Sequence, residues 1–445
     1  MLQSEPAERG GVEKVVREDE FSDQLSTIAT PFFQLVFGLE AHGDVAWSKP
    51  QFHRLVHDCH HLETFLDDYG ARSNRTYHDF TELVAGLRGV AQGGYSIAHL
   101  AGRLDSYGFR RWPDSELARR THGRVVSLRQ ALSGLCRAIL TGIQREAVEL
   151  GLSLPTPAAG KPKLLPVEVR RQLPRNLGVD DPTNERQRIA EVASRFLPAA
   201  DLLSGIAPEV FEDPARRSAF LDAACREEHA RVYQATVHNL QSTYDTYIRN
   251  TVLETRDGRL PNLRGHASAA LHLLEAVTAL IHVKERHESS DRTVSEQAVA
   301  KLASCVPPEE LDRMILDDLL IGATEVLEGG RPIAEELLGS YTQLGCLEVE
   351  LSKGVNLHAQ AAAQIVGIVQ RYGTPVEMEI DGQSCNAGSI LELLVAVGAQ
   401  PGARKFRFRG DERPLQDIQM LFRCAFGEGE DGLPERLRYL KAGRE

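Results

Sequence analysis

Residues 376–382 read Val-Glu-Met-Glu-Ile-Asp-Gly, an alternation of apolar and charged positions that ends in a turn dipeptide. Alternation with a period of two predicts a strand with one buried face. Asp381-Gly382 is the strongest kind of short hairpin signal, because both residues tolerate the left-handed backbone that a tight two-residue turn requires. The sequence therefore predicts a β-hairpin that begins with the strand Val376–Ile380.

Further strands and helices flank this hairpin. Residues 346–351 and 405–408 alternate in the same way and predict two more strands. An alanine-rich helical run precedes the hairpin, a short apolar helix follows Ser389, and residues 414–426 form an amphipathic helix. The order β-α-β-β-α-β-α predicts a small antiparallel sheet with helices on one face, an α+β domain over residues 345–428.

The first 340 residues have a helical texture, with apolar residues at steps of three and four. Six prolines in residues 154–184 exclude a continuous helix there. Few helix breakers occur in residues 214–254 or 260–287, so each predicts a long helical segment. The predicted organisation is multidomain: a disordered tail 1–16, an all-α helical bundle region in two parts (17–153 and 185–340), a Pro-rich linker or crossover 154–184, the α+β domain 345–428, and a C-terminal tail 429–445.

The composition of the chain indicates which classes of partner it can bind and in which cellular compartment it is expected. A chain of 445 residues predicts two or three folded units, and its formal net charge of −12 argues against binding to nucleic-acid backbones or to anionic lipid. The seven cysteines are scattered without a CxxC pair, which indicates reduced thiols. The N-terminus has no signal-peptide core, and no uninterrupted apolar stretch reaches the roughly 18 residues of a membrane span. We expect a cytoplasmic protein.

Two motifs in the α+β domain carry a family resemblance. Residues 356–362 read Asn-Leu-His-Ala-Gln-Ala-Ala, and residues 386–391 read Asn-Ala-Gly-Ser-Ile-Leu. With the order of elements over about 346–428, they resemble the HPr family of histidine-containing phosphocarrier proteins, whose fold is a small α+β open-faced sandwich. The resemblance implies that His358 is the phosphoryl acceptor. It also implies that Ser389 stands where a dedicated kinase phosphorylates many Gram-positive members.

The chemistry expected of His358 follows from its place at the mouth of a predicted helix. Free backbone N–H groups and the helix dipole favour an anion there, and neutral imidazole is a nucleophile near pH 7. The alternative is a histidine that merely caps the helix. Three departures from the family motif weaken the site: Gln360 replaces the arginine that neutralises the phosphate, Ala361 replaces proline, and Asn356 replaces glycine.

Ser389 has an ordinary interpretation beside the regulatory one. A serine before a helix is a common N-cap. A phosphate at the first turn of a helix is also electrostatically tolerated, so the resemblance favours a regulatory site.

A histidine cluster is the main feature of the helical region. His53, His57, His60 and His61 share a helical stripe at i, i+4, i+7 and i+8, and two of them could ligate a metal if other helices supplied carboxylates. A surface cluster is the simpler interpretation, so no metal site is predicted. No nucleotide-binding fingerprint, HExxH or GxSxG occurs.

The leading hypothesis is a cytoplasmic regulatory phosphoprotein rather than a turnover enzyme, without a cofactor. A helical binding or dimerisation module would be coupled to the HPr-like domain, phosphorylated at His358, Ser389 or both, with Gln360 contacting the phosphate. The implied partners are an Enzyme I-type phosphodonor or an HPr kinase-like protein, other regulatory proteins, and a second copy in a homodimer. One alternative is a non-phosphorylated interaction scaffold. The other is a metal-dependent helical enzyme controlled by the HPr-like domain.

Overall fold

The structure is a computed structural model that describes residues 15–41, 43–155, 182–288, 295–352, 357–427 and 432–440. Most of these residues are helical. The α-helices are α1 Glu18–Glu40, α2 Lys49–Asp68, α3 His78–Arg103, α4 Ser115–Glu149, α5 Pro182–Ser204, α6 Pro214–Ala224, α7 Glu227–Tyr247, α8 Val252–Arg256, α9 Arg259–Glu288, α10 Glu296–Cys305, α11 Pro308–Arg313, α12 Ile321–Tyr341, α13 Ala359–Tyr372, α14 Ile390–Ala399 and α15 Glu412–Arg423. A π-helical segment, Met314–Leu320, precedes α12.

Capping residues explain where several helices begin. The backbone N–H of Ser48 donates to Oε1 of Gln51 at 2.8 Å before α2. Asp213 accepts from the N–H of Ala215 at 3.0 Å, and the next residue is a proline, which suits the first helical position of α6. Ser295 accepts from the N–H of Ala298 at 3.0 Å before α10. These side chains satisfy amide groups that the helix itself leaves without a partner.

The segments predicted as helical over residues 214–254 and 260–287 are both helical, the second as the single helix α9. Three helices, α6, α7 and α8, occupy the first segment. Arg226 is extended between α6 and α7, and Asn250 has φ 67° between α7 and α8. Asparagine tolerates this left-handed conformation, and Thr251 then caps α8 by accepting from the N–H of Glu254 at 3.2 Å.

The contacts divide the chain into two units. One unit comprises Met1–His99, Val126–Glu168 and Ala279–Met314. The other comprises Leu100–Val125, Val169–Thr278 and Ile315–Glu445. Each unit therefore takes residues from both sides of the proline-rich segment, of which residues 156–181 lie outside the described residues, as do residues 1–14 of the predicted N-terminal tail.

The first unit is held together by close helix packing on α3. An added Cβ at Gly89 would lie 2.4 Å from Cγ2 of Val283, which would have to shift, and one at Gly86 would lie 2.8 Å from the flexible end of Leu302. An ion pair between the ammonium of Lys284 and the carboxylate of Asp312, at 3.1 Å, is buried in the same unit. The second unit contains α5, which packs against both α7 and α12, and the sheet described next.

The α+β element order predicted from the sequence is present in the second unit. Strands β1 Leu344–Glu350, β2 Val376–Ile380, β3 Gln383–Asn386 and β4 Lys405–Asp411 form an antiparallel sheet in the order β1-β4-β2-β3. Asp381 and Gly382 have φ values of 45° and 83°, as a tight hairpin turn between β2 and β3 requires. Helices α13, α14 and α15 bury apolar residues together with one face of the sheet.

Residues 432–440, which lie within the predicted C-terminal tail 429–445, are folded. Glu435–Leu440 form a 3₁₀-helix in which Leu437 is fully buried. Its anchor is the buried carboxylate of Asp417 on α15, which contacts Arg436 and Tyr439. The segment thus completes the helical layer of the α+β domain. Its helical structure could not be predicted from the sequence, because Arg436 and Tyr439 lie in a short polar stretch without apolar periodicity.

Helix α9 is long and apolar enough, over Arg259–Arg286, to pass a composition test for a membrane span. It is the one helix in the described ranges that passes this test. The sequence has no uninterrupted apolar stretch of roughly 18 residues, because polar residues interrupt the apolar ones in this helix. Of its most apolar window, 78% is buried inside the protein. This burial accounts for the composition, since core helices are apolar for the same reason as membrane spans.

Candidate functional site

His358 is the N-cap residue of α13. Its backbone is extended, with φ −100° and ψ −178°, and its carbonyl accepts the first helical hydrogen bond from the N–H of Ala362 at 2.9 Å. The N–H of Gln360 donates to Nδ1 of His358 at 3.3 Å. The side chain is exposed. The predicted position at the mouth of a helix is therefore confirmed.

The contact with Gln360 determines which ring nitrogen is basic. Because Nδ1 accepts a hydrogen bond from a backbone amide, it carries a lone pair and the proton of the neutral ring resides on Nε2. An electrophile that reached Nδ1 would lie beside the first amides of α13, where a negative charge is favoured. The arrangement can therefore act as a nucleophile and then hold an anionic product.

Buried neighbours hold the backbone that carries the exposed imidazole. Leu357 is buried on one side of it, and Ala361 and Ala362 are fully buried on the other. Gln360 is exposed at the first turn of α13. Asn356 lies outside the described residues. His358 is thus presented to solvent from a backbone that is packed on both sides.

Ser389 is the N-cap residue of α14. Its Oγ accepts from the N–H of Glu392 at 3.4 Å, as predicted for an ordinary cap, and the residue is half-buried. The preceding loop is held by two further bonds: the N–H of Gly388 donates to Oδ1 of Asn386 at 2.8 Å, and the N–H of Asn386 donates to Oε2 of Glu392 at 2.9 Å. Ser389 therefore lies at the end of an ordered loop.

The loop that carries Ser389 packs on the helix that His358 caps. A Cβ added at Gly388 would lie 3.2 Å from Cγ1 of Val369 on α13. Both candidate residues thus precede helices of the same layer, although no hydrogen bond joins the two side chains among the described residues. Each of the two residues is the N-cap of its own helix, and in the described part of the chain they do not line one shared pocket.

Helix α14 has an exposed apolar face directly after Ser389. The sequence predicted a short apolar helix but gave no sign that its apolar residues face solvent. The exposed fractions are 44% for Ile390, 72% for Leu391, 36% for Leu394 and 64% for Val395. A contiguous apolar patch of this kind is typical of an interaction surface.

The four histidines considered as metal ligands are on the surface of α2. All four side chains are exposed, and the rings of His57 and His61 are 6.0 Å apart. Nδ1 of His57 contacts the carboxylate of Asp58 at 3.0 Å. Among the described residues, no three histidine, cysteine, aspartate or glutamate side chains are placed to hold a metal ion. Within the described ranges, no carboxylates of other helices complete a metal-binding group with these histidines.

A second group of polar residues lies in the core of the second unit and was missed from the sequence. The hydroxyl of Tyr107 and Nε2 of His272 are 2.9 Å apart, and Nδ1 of His272 lies 2.8 Å from Oε2 of Glu275. Burial raises the pKa of Tyr107. Tyr107 is 165 residues away from its partner in the chain, so no local pattern could have paired them.

His266 is the most buried histidine of this core. Its Nδ1–H donates to the carbonyl of Val326 at 2.7 Å, and its ring stacks on Trp112 with centroids 3.9 Å apart. Burial lowers the pKa of His266 to about 4. The ring is neutral at physiological pH and has a structural role in the packing of α9.

Comparison of the chain with protein-family models, with curated proteins and with solved structures finds no match in any of the three.

Proposed function

We propose that this chain is a cytoplasmic regulatory phosphoprotein whose C-terminal α+β domain is HPr-like and accepts phosphate at His358, at Ser389 or at both. The observation that carries the proposal is the placement of His358: an exposed imidazole at a helix N-terminus, with Nδ1 turned toward the backbone amide of Gln360 at 3.3 Å. The order of elements in the domain supports the resemblance to the HPr family.

Phosphotransfer to His358 needs little more than this geometry. The lone pair of Nδ1 gives up the hydrogen bond from the N–H of Gln360 and forms a bond to phosphorus, while the bond between phosphorus and the donor's leaving nitrogen breaks and the Nε2 proton passes to solvent. The dianionic group then lies at the N-terminus of α13, where amide groups and the helix dipole stabilise it. The implied donor is an Enzyme I-type protein that carries a phosphohistidine.

Gln360 sets the rate of this step. An arginine at this position would place a fixed positive charge beside the phosphate, whereas an amide supplies hydrogen bonds alone. We therefore expect slow transfer to His358. A slow acceptor is better suited to reporting a phosphorylation state than to carrying flux.

Ser389 links phosphorylation to an interaction surface. A phosphate on its Oγ would place about two negative charges beside Ile390 and Leu391, the most exposed end of the apolar face of α14. A partner that buries this face would have to desolvate the phosphate as well. Modification by an HPr kinase-like protein would thus weaken docking to other regulatory proteins.

The interaction scaffold is a second candidate, and the same face of α14 favours it. Four exposed apolar side chains on a helix of ten residues can bind a partner without any phosphorylation. In that case His358 and Ser389 serve as helix caps only, and the HPr-like domain has lost its transfer chemistry.

The test is phosphorylation of the full-length protein by two donors. One reaction contains phosphoenolpyruvate and Enzyme I, the other ATP and an HPr kinase, and intact mass is measured before and after acid treatment. We expect acid-labile phosphate that is lost in His358→Ala, and acid-stable phosphate that is lost in Ser389→Ala. The matched controls are His60→Ala and Ser384→Ala, two exposed residues outside the site.

Each outcome separates the candidates. Acid-labile phosphate on His358 supports a carrier, and stable phosphate on Ser389 alone supports a regulator that has kept only the switch. If the protein is folded and neither residue carries phosphate, the proposal is overturned and the interaction scaffold is the remaining candidate.

A further inference from the structure

Strand β1 forms an edge of the four-stranded sheet. The strand order β1-β4-β2-β3 leaves it with one neighbour, β4, which pairs along its whole length from Leu344 to Glu350. In the described part of the chain, no backbone hydrogen bond joins residues 344–350 to any segment except β4. Within the described ranges, the outer N–H and C=O groups of β1 thus have no backbone partner, as is typical of an edge strand.

The helix-covered face of β1 is incompletely buried. Leu347 and Val349 point to the apolar core but are only partly buried, whereas the residues opposite them on β4, Phe408 and Phe406, are 0% and 2% exposed. The apolar layer thus continues to the edge of the sheet and is left partly open there. An added strand with apolar residues on this face would cover it.

The opposite face of the sheet carries charges in rows. The central strand β4 presents Arg407 and Arg409, and Arg407 contacts Glu348 of β1 at 2.7 Å and Glu379 of β2 at 3.4 Å. Arg409 contacts Glu379 at 3.2 Å. The basic row of β4 thus lies between the acidic rows of β1 and β2, whereas β3 (Gln383–Asn386) carries no charged side chain.

The outermost row of this pattern is acidic and has a neighbour on one side only. It consists of Glu348, with a side chain that is 70% exposed, and Glu350, which is exposed and has no ion-pair partner within 4.0 Å in the described residues. A surface cavity of about 400 Å³ lies at this face, lined in part by Glu348, Glu350 and Lys405. Basic side chains on an added strand would lie opposite these exposed carboxylates, as the basic side chains of β4 do on the other side.

We propose that the edge of β1 binds an extended segment of a partner protein in which basic and apolar residues alternate. The segment adds a fifth strand, its basic side chains lie beside Glu348 and Glu350, and its apolar side chains cover Leu347 and Val349. This inference uses neither His358 nor Ser389 and stands independently of the proposed function.

A second copy of the chain fits this edge less well. Pairing β1 with β1 of another molecule would bring the two acidic rows next to each other, and like charges on adjacent strands are unfavourable. Charged residues on an edge strand are a common protection against such self-pairing. The occupant is therefore a basic strand from a different protein.

The experiment uses the full-length protein and the fluorescent peptide Lys-Val-Arg-Val-Lys-Val-Arg as the probe. Binding is followed by anisotropy, and its location by hydrogen–deuterium exchange. We expect saturable binding that weakens with added salt, and slower exchange in residues 344–350 but not in Gln383–Asn386, the other edge strand.

Charge variants test the acidic row. Glu348→Gln with Glu350→Gln should weaken binding by about tenfold, since two charge contacts are lost. The matched control is Glu377→Gln with Glu435→Gln, which removes the same charge from exposed positions away from the edge and should change affinity by no more than about twofold. Circular dichroism confirms that both variants are folded.

Three results would overturn the proposal. The first is absence of protection in residues 344–350 when peptide is bound. The second is an equal loss of affinity in the control variant, which would show a response to net charge alone. The third is concentration-dependent dimerisation of the free protein, measured by analytical ultracentrifugation, that is abolished by changes in β1, because a second copy would then be the occupant.

Discussion

The phenolic hydroxyl of Tyr439 donates a hydrogen bond of 3.0 Å to the buried carboxylate of Asp417. The same carboxylate accepts from the hydroxyl of Tyr372 on α13 at 2.9 Å and contacts the guanidinium of Arg436 at 2.6 Å. One buried charge therefore joins α13, α15 and the C-terminal 3₁₀-helix.

Removal of this charge should detach the C-terminal segment. We expect Asp417→Ala to reduce the free energy of unfolding by about 3 kcal/mol, because two tyrosine hydroxyls and an arginine lose their acceptor. Tyr439→Phe should reduce it by about 1 kcal/mol, since it removes one of these bonds. Urea denaturation measures both changes, and hydrogen exchange should become faster in residues 432–440 of Asp417→Ala.

The control for this prediction is Arg438→Ala in the same 3₁₀-helix, where the side chain is 71% exposed. A surface ion pair of this kind contributes little, so stability should change by less than about 0.5 kcal/mol. If Asp417→Ala were as mild as Arg438→Ala, the anchor would have no energetic role.

Acid should destabilise the second unit through His266. Its pKa is lowered to about 4 in the folded protein from an ordinary value of 6.5, so the unfolded chain binds more protons between these two values. The free energy of unfolding should therefore fall as the pH falls from 6.5 toward 4, by about 3 kcal/mol in total from this group. Above pH 6.5 its contribution is constant.

Chemical denaturation at several pH values in this window isolates the contribution of His266. In His266→Gln the group no longer titrates, so the dependence of stability on pH should be flatter than in the unchanged protein by the stated amount. His60→Gln, which removes an exposed histidine, should leave the slope unchanged. Parallel curves for His266→Gln and the unchanged protein would contradict the assignment.

The hairpin turn between β2 and β3 offers a test of backbone strain alone. Gly382 has φ 83° and nothing lies within 4 Å of an added Cβ, so Gly382→Ala meets no clash and should still lose about 1 kcal/mol through its left-handed backbone. Gly398 of α14 also has free space but an ordinary φ. Gly398→Ala should instead stabilise the protein by about 0.5–1 kcal/mol. Thermal denaturation distinguishes the opposite signs.

The secondary structure of the α+β domain could be predicted because its signals are local. The alternation in Val376–Ile380 and the Asp381-Gly382 turn are properties of adjacent residues, and the structure has both where the sequence placed them. The division of the helical region could not be predicted, because it depends on which helix faces meet. Close contacts such as Gly89 with Val283 join residues that are far apart in the chain.

For the candidate site, too, only the features that depend on adjacent residues could be predicted. The helix-cap positions of His358 and Ser389 follow from short motifs, and the structure has them as N-caps. The exposure of Leu391 and the partial burial of Leu347 depend on which other elements of the fold pack against α14 and β1. Hydrophobicity alone predicts burial for such residues, so these surfaces became visible only in the folded chain.

A gain-of-function substitution gives the sharpest test of the phosphoryl acceptor. Gln360→Arg places a permanent positive charge in the first turn of α13, two residues after His358. If His358 accepts phosphate on Nδ1, the guanidinium stabilises the developing charge, and transfer from Enzyme I should become at least about tenfold faster. The rate is followed by intact mass in a quenched time course.

Gln370→Arg is the matched control for this rate. Gln370 is exposed on the same helix, at the end far from His358, so the variant has the same change in net charge without a charge near the acceptor. A similar acceleration in both variants would indicate improved docking of the donor rather than stabilisation of the phosphate. An unchanged rate in Gln360→Arg, with phosphate still on His358, would mean that the amide of Gln360 is not what makes the site slow.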